Sequence, residues 1–428
     1  MVEPVAEKDL LQDKEYLDRI SRQLGTFGAE MMGKLVKMKV LIVGMRGLGV
    51  ETAKNLILAG PKVVDIYDPT EVKIADQGSN FYISEADVGN KTRAQASIGQ
   101  LGELNPYCTT NVLDQFSNDL IKGYNVVCIT ENFFGAAGLR EINEECRKNK
   151  VGFLLCETMG VAGYIFSDFG DEFYVNDPDG ISPKQFIVRD ITQEENALVL
   201  CDPEKRHPYQ DGDHVKFVEV EGMTEINSTK ENVKPYEIFD CKAYTFRLKL
   251  DTREMGKYTR QGIVENVKVP KKNSFSSLDV SAKNPAAATF GFLEPVDMNL
   301  FGMGRSENLH LSFMGVHAFN DQEGRYPNDT EEDLAKVIEL TKGINAANKE
   351  AEGLSVEEID ENVCRKVAAY STCSISSMCA FFGGFLAQEI VKFTGKYMPL
   401  NQWKHVDYFD SLPTGEANRE PMGSRYDD

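Results

Sequence analysis

Apolar and polar positions in the first part of the chain alternate between two periods. Val40, Leu41, Ile42 and Val43 form an unbroken apolar run, the pattern of a parallel strand buried on both faces, and Gly44 closes it. Val50, Ala53, Leu56 and Ile57 recur at helical spacing until Gly60-Pro61 stops the run, and Val63 to Tyr67 give a second strand ending at Asp68. Ahead of this βαβ unit, Tyr16 to Met38 reads as one or two helices, with Leu24, Phe27, Met31, Met32 and Leu35 on an apolar face. Beyond it, a helix is predicted over Thr92 to Leu104. Buried strands are predicted over Tyr124 to Thr130 and Val151 to Glu157, with an amphipathic helix between them near Ala136 to Lys148. This alternation predicts a doubly wound, mostly parallel α/β sheet over residues 1–170.

From about Gly170 the period shortens to two. In Cys241 to Asp251, Tyr244, Phe246, Leu248 and Leu250 fall on one face and Thr245, Arg247, Lys249 and Asp251 on the other, the mark of half-solvated antiparallel strands. Turns at Asp177 to Gly180 and Asp211 to Asp213 punctuate this stretch, so residues 171–265 are predicted to be a small all-β domain inserted into the α/β domain. After the basic return Val269 to Phe275, helical spacing resumes. Thr330-Glu331-Glu332-Asp333 resembles a capped start continued by Leu334, Val337, Ile338 and Thr341, and Ser355-Val356-Glu357-Glu358 reads as a capping box, so residues 266–360 are expected to form a helical bundle. Residues 361–428 read as the return to the α/β domain. An apolar helix is predicted over Ser374 to Lys392, carrying Phe381, Phe382, Phe385 and Ile390, and a last strand over Met398 to Phe409 with the sole tryptophan, Trp403. Gly383-Gly384 would allow very close helix packing there, despite a helix cost of about 1 kcal/mol per glycine.

The turn after the first strand decides the chemistry. A dinucleotide fingerprint is G-x-G-x-x-G, whose middle glycine lets backbone approach a phosphate chain. Here the positions read Gly44-Met45-Arg46-Gly47-Leu48-Gly49, and Arg46 stands where a side chain obstructs that approach. Its charge could instead suit an anion held slightly farther out. Asp68 follows Gly49 at about the 20-residue offset of a ribose-binding acid. The tight-turn and helix-packing glycines are present and the ligand-facing one is not, which predicts a turn that keeps the fold and holds nucleotide poorly.

Composition narrows the partners. The chain has 428 residues, enough for two to four domains, and 67 acids against 47 bases give −20, which argues against a nucleic-acid backbone and suits a protein partner. Residues 1–15 have no apolar signal core and no run of 18 apolar residues occurs, so no membrane association is expected. The nine cysteines are scattered without a C-x-x-C pair and read as reduced intracellular thiols. Cys128 and Cys156 sit in strand-like runs as small buried hydrophobes. Among five dispersed histidines, His207 and His214 could flank a loop site but read as surface residues, and no metal site is expected.

Several strings carry a family resemblance. Ser21-Arg22-Gln23-Leu24, the run from Gly47 to Gly60 (GLGVETAKNLILAG), Asp168 to Glu172, Val267 to Lys272, Gly383 to Glu389 and Gly395 to Pro399 together resemble the N-terminal half of ubiquitin-activating enzyme. The resemblance implies a Rossmann-like inactive adenylation domain interrupted by the first catalytic-cysteine half-domain and a four-helix bundle. In that family an active second half joins the ubiquitin carboxylate to AMP using ATP and Mg, and a cysteine then takes ubiquitin as a thioester. The implied partners are that active half and ubiquitin, and the implied location is cytoplasm and nucleus. Ser424-Arg425-Tyr426-Asp427 resembles the entry to the second adenylation repeat, so the chain is expected to stop there and, alone, to be inactive and bind no cofactor. Cys201 and Cys241 are not expected to carry the thioester.

Departures from the active pattern fall on ligand-facing positions. Thr70 replaces an acid, and Asp76-Gln77-Gly78-Ser79-Asn80 replaces an Asn-x-Asn-Arg-Gln run; Lys91 or Arg93 lies near the place of the family's catalytic lysine. Arg22 matches an arginine that reaches from the inactive half to the partner's ATP phosphates, where a planar guanidinium can neutralise charge as pyrophosphate leaves. Its pattern alone would read as a helix-end salt bridge. Two alternatives stay open: a separate small subunit of a heterodimeric ubiquitin-like-protein activator, and an independent NAD-dependent oxidoreductase using Gly44 to Gly49 and Asp68.

Overall fold

The computed structural model describes residues 13–229, 231–285, 288–290 and 305–412. The chain divides into two units. The first runs to Phe173 and resumes over Asn273–Gly395 and from Pro399, and the second holds Tyr174–Lys272 with Lys396–Met398.

The first unit begins with helices α1 (Lys14–Arg19) and α2 (Ser21–Leu35), followed by strand β1 (Lys39–Val43), α3 (Gly47–Ala59) and β2 (Val63–Tyr67). Next come α4 (Arg93–Glu103), β3 (Thr109–Val112), α5 (Asn118–Ile121), β4 (Val126–Ile129), α6 (Gly135–Asn149) and the hairpin strands β5 (Gly152–Met159) and β6 (Ala162–Asp168). Short strands β7 (Phe173–Val175) and β14 (Lys271–Asn273) bound the insertion in sequence, beyond which lie α7 (Leu278–Lys283), β15 (Ala288–Phe290), α8 (Arg305–Glu323), α9 (Glu331–Glu350), α10 (Glu361–Ala369), α11 (Ser376–Lys392) and β16 (Trp403–Asp407).

Eight strands form one sheet in the order β15-β16-β6-β5-β4-β1-β2-β3. The run β3-β2-β1-β4-β5 is parallel, and β6 is antiparallel to both neighbours, β5 and β16. The buried apolar strands predicted around Val40, Val126 and Phe153 are therefore the centre of the sheet, with every residue of β4 out of solvent. On one face, Leu41, Val127, Phe153 and Tyr164 meet Leu309, Phe313, Val337 and Val363 from α8, α9 and α10. On the other, α11 lies along α3, and a Cβ added at Gly383 would stand 2.7 Å from the Glu51 Cβ and 2.9 Å from the Thr52 amide nitrogen. Close packing thus holds for Gly383. It does not for Gly384, whose nearest such neighbour, Asn55 Nδ2, is 4.0 Å away.

The second unit is a closed antiparallel barrel of β8 (Gln185–Ile191), β9 (Leu198–Cys201), β10 (His214–Val218), β11 (Tyr236–Phe239), β12 (Thr245–Leu248) and β13 (Ile263–Asn266), ordered β10-β11-β12-β9-β8-β13. Phe186, Val199, Phe217, Phe246, Leu248 and Val264 fill it. The fold class is as predicted: an α/β sheet dominated by parallel strands, an all-β insertion and a helical bundle.

Three local expectations are corrected. Ser355 to Glu358 starts no helix: Asn345 pins both the N–H and the C=O of Val356, and α10 begins only after Asp360, whose carboxylate accepts from the Asn362 and Val363 amides. The alternating run Cys241 to Asp251 contributes a strand only over Thr245–Leu248. His207 is 7% exposed, stacked on Tyr209 inside the barrel, rather than on the surface. The Thr330 cap is present, accepting from the Asp333 amide, while the motif at Ser424 to Asp427 lies outside the described residues.

Candidate functional site

In the strand order 3-2-1-4-5 the chain turns one way from β1 and the other way from β4. The crevice outside the carboxyl ends of those two strands is where such sheets bind ligands. Arg46, Leu48, Thr130 and Glu131 meet there, joined by Glu157 and Tyr326, around a cleft of about 40 Å³, room for a few waters.

The glycines of the turn have structural work. Gly44 has φ +96°, and a Cβ on it would come 2.6 Å from the Glu131 Cβ. A Cβ on Gly47 would stand 2.6 Å from the Ser79 Cβ, and one on Gly49 only 1.9 Å from the Gly44 carbonyl oxygen. Arg46 caps α3 without a side-chain capping bond and turns instead to the far wall, where its Nη2 donates to the Thr372 carbonyl at 2.8 Å. Its Nε is buried without a partner among the described residues.

Asp68 is committed to the turn. Its carboxylate accepts from the Met45 amide and the Thr70 amide, both at 2.8 Å, and is 3% exposed. The Arg93 guanidinium fills the space in front of it, 3.6 Å from Asp68, 2.9 Å from Asp76 and 3.1 Å from Glu131. Burial opposes the Arg93 charge, but Glu131, Asp76 and Asp68 outweigh it and hold the guanidinium above its usual range. Burial pushes the Glu131 carboxyl up to about 7, against the pull of Arg93 and Arg46. Of the two basic residues picked out in sequence, Arg93 reaches the crevice; Lys91 pairs with Asp87 and is half-exposed. In the Asp76 to Asn80 run, Asn80 donates to the Met45 carbonyl and Ser97 Oγ, both at 3.0 Å, so the run braces the turn from below.

Other residues picked out in sequence stand apart. Arg22 is exposed near the start of α2, and its guanidinium makes no ion pair or hydrogen bond among the described residues, so the helix-end salt bridge is absent. Asp168 is structural, accepting from Asn143, Arg147 and the Gly170 amide. Burial pushes the Cys201 and Cys241 thiols up to about 12, which disfavours thiolate at either. Among the described residues no group of three or more potential metal ligands occurs, and no helix is long and apolar enough to cross a membrane.

Sequence reasoning missed a buried polar cluster beside the crevice. Glu157 accepts from Tyr164 (2.8 Å), Tyr326 (3.0 Å) and His317. Burial disfavours its charge, yet His317 prevails and holds the carboxyl below its usual range while His317 itself is held above. Two turns earlier on α8, His310 Nδ1 lies 3.2 Å from His405 Nε2, and burial lowers both imidazoles. His310 and His317 are seven residues apart among Leu309, Phe313 and Val316, a helical spacing that could have placed them on one face.

Residues 194–268 match the ubiquitin-activating enzyme E1 FCCH domain, and residues 269–345 match the ubiquitin-activating enzyme E1 four-helix bundle. The chain is 35% identical over 415 residues to ubiquitin-like modifier-activating enzyme 1 of Oryctolagus cuniculus, covering 95% of this chain and 38% of the relative. It is 37% identical over 396 residues to the Homo sapiens protein of the same name, covering 92% and 36%. With ubiquitin-activating enzyme E1 1 of Arabidopsis thaliana it shares 37% over 418 residues, covering 96% and 37%. A solved structure of E. coli MccB with succinimide overlaps 34% of this chain and 47% of its own at 19% identity and TM-score 0.30, too loosely to bear on the site. The chain thus spans little more than a third of its curated relatives' length. Within that span the chain carries both domain signatures and is similar to ubiquitin-activating enzymes along nearly all of its own length.

Proposed function

We propose that the chain is the non-catalytic adenylation half of a ubiquitin-activating enzyme. In this reading it packs on an active half, contributes to ubiquitin binding, and supplies Arg22 to the ATP phosphates across the interface. The observation that carries the reading is the crevice at β1 and β4. Asp68, the acid at the ribose-binding offset, is spent on two backbone amides, and the Arg93 guanidinium lies 3.6 Å from it. Arg46 adds a side chain where backbone must approach phosphate. The turn therefore serves packing, and nucleotide chemistry falls to the partner. Arg22, exposed and without a side-chain partner among the described residues, can reach a phosphate, and by comparison with arginines supplied across interfaces its loss costs on the order of 10³-fold in rate.

Two measurements test this. Titrating ATP·Mg into the chain alone is expected to give no saturable binding at micromolar concentration and no pyrophosphate exchange; either signal defeats the reading. Mixed with an active adenylation half, the chain should support ubiquitin-dependent pyrophosphate exchange that Arg22→Ala sharply slows. Equal rates would leave Arg22 a surface residue.

A further inference from the structure

Helix α2 is not one straight rod. At Gly28 the backbone takes φ 78° and ψ 160°, a region essentially open to glycine alone, and the chain bends between an exposed first part and a buried second part. Both flanks are fixed. Upstream, Asp13 caps α1, Tyr16 is 2% exposed with its ring edge-on to Tyr107 at 5.0 Å, and Ile20 is buried. Downstream, Met31, Met32 and Leu35 are inside the core. Between the anchors, Arg22, Gly25 and Thr26 face solvent.

From this geometry we infer that Gly28 is a positioning residue: its bend sets the direction in which Arg22 leaves the surface, toward an anionic phosphate group on a partner. The inference rests on the trans role proposed for Arg22. A Cβ at position 28 disfavours the observed backbone and favours continuing the helix, which redirects the segment carrying Arg22. Gly25 lies in the same segment with a helical backbone and nothing within 4 Å of an added Cβ, so alanine there stiffens the segment without turning it. A misplacement of about 1 Å in a group acting on a transition state costs on the order of 10²-fold.

The test is ubiquitin-dependent pyrophosphate exchange by the full chain with an active adenylation half, with kcat and the KM for ATP measured separately and the melting curve of each variant recorded. Gly28→Ala should lower kcat by about 10- to 100-fold, Gly25→Ala should leave it unchanged, and Arg22→Ala/Gly28→Ala should be no slower than Arg22→Ala. Ala29→Gly loosens the bend without straining it and keeps the test open should Gly28→Ala fold poorly; it should lower kcat several-fold while lowering the melting temperature by only a few degrees. Wild-type rates for both Gly28→Ala and Ala29→Gly, with Arg22→Ala slow, overturn the positioning role alone. A double variant slower than Arg22→Ala by the full Gly28→Ala factor does the same, because Gly28 would then act independently of Arg22. A wild-type rate for Arg22→Ala removes the trans role, and the inference with it.

Discussion

Replacing Arg93 with methionine tests the account of the crevice most directly. The substitution keeps much of the side chain's volume and removes its charge, leaving Asp68, Asp76 and Glu131 facing one another. Asp68 and Asp76 are nearly sealed from water, with side chains 0% and 4% exposed, and Glu131 keeps 19%. At an effective dielectric near 20, one charge pair at 4 Å is worth about 4 kcal/mol, and removing one partner of a buried pair costs about 3–5 kcal/mol once desolvation is counted. The loss should depend on pH. Glu131 has a carboxyl raised from 4.5 to about 7 with Arg93 present, and losing the guanidinium raises it further. An acid whose folded value exceeds its unfolded one favours folding at low pH and opposes it as pH climbs through that window. The deficit of Arg93→Met should therefore be largest at pH 8 and narrow by about 1 kcal/mol or more at pH 5.5. Urea unfolding followed by Trp403 fluorescence reads this, because the single tryptophan is 1% exposed in the sheet of the same unit. A deficit under about 1 kcal/mol at pH 8, or one equal at both pH values, refutes the network as described.

The adjacent glycines of α11 should behave oppositely. Gly383→Ala forces a Cβ to 2.7 Å from the Glu51 Cβ and should destabilise by about 1–3 kcal/mol, whereas Gly384→Ala has space and should stabilise by up to about 1 kcal/mol; equal effects in urea unfolding would contradict the packing of α11 on α3. Burial lowers His310 to about 4, so its contribution is present above pH 6.5 and is lost as pH falls from 6.5 toward 4, about 3 kcal/mol in all. His310→Gln should flatten that acid limb, and an unchanged slope would place the titration elsewhere.

How much of this was legible follows from what each signal encodes. Val40 to Val43, the spacing from Val50 to Ile57, and the glycine turn are local patterns, and they placed the central βαβ unit and its crevice. Arg46 was recognisable as an obstruction because its position in the fingerprint is fixed. Arg93 was picked out only as one of two basic residues: its partners Asp68 and Asp76 follow β2 and Glu131 follows β4, and no periodicity joins them. The His317–Glu157 pair spans 160 residues and was invisible for the same reason. Ser355 to Glu358 shows the converse error. Its residue types suit a capping box, but the Asn345 side chain takes the Val356 backbone and defers the helix to Asp360. The bend at Gly28 was half visible, since Tyr16 to Met38 read as one or two helices without saying where they part.

The wiring of Arg93 also limits how such a turn can change over generations. Trimming Arg93 alone uncovers three acids, and trimming the acids first leaves a buried cation or releases the Met45 and Thr70 amides that Asp68 holds. Each single step is a loss, so the network can be dismantled only by several replacements arriving together. The network acts as a ratchet, and a lineage that has acquired it tends to keep all four residues.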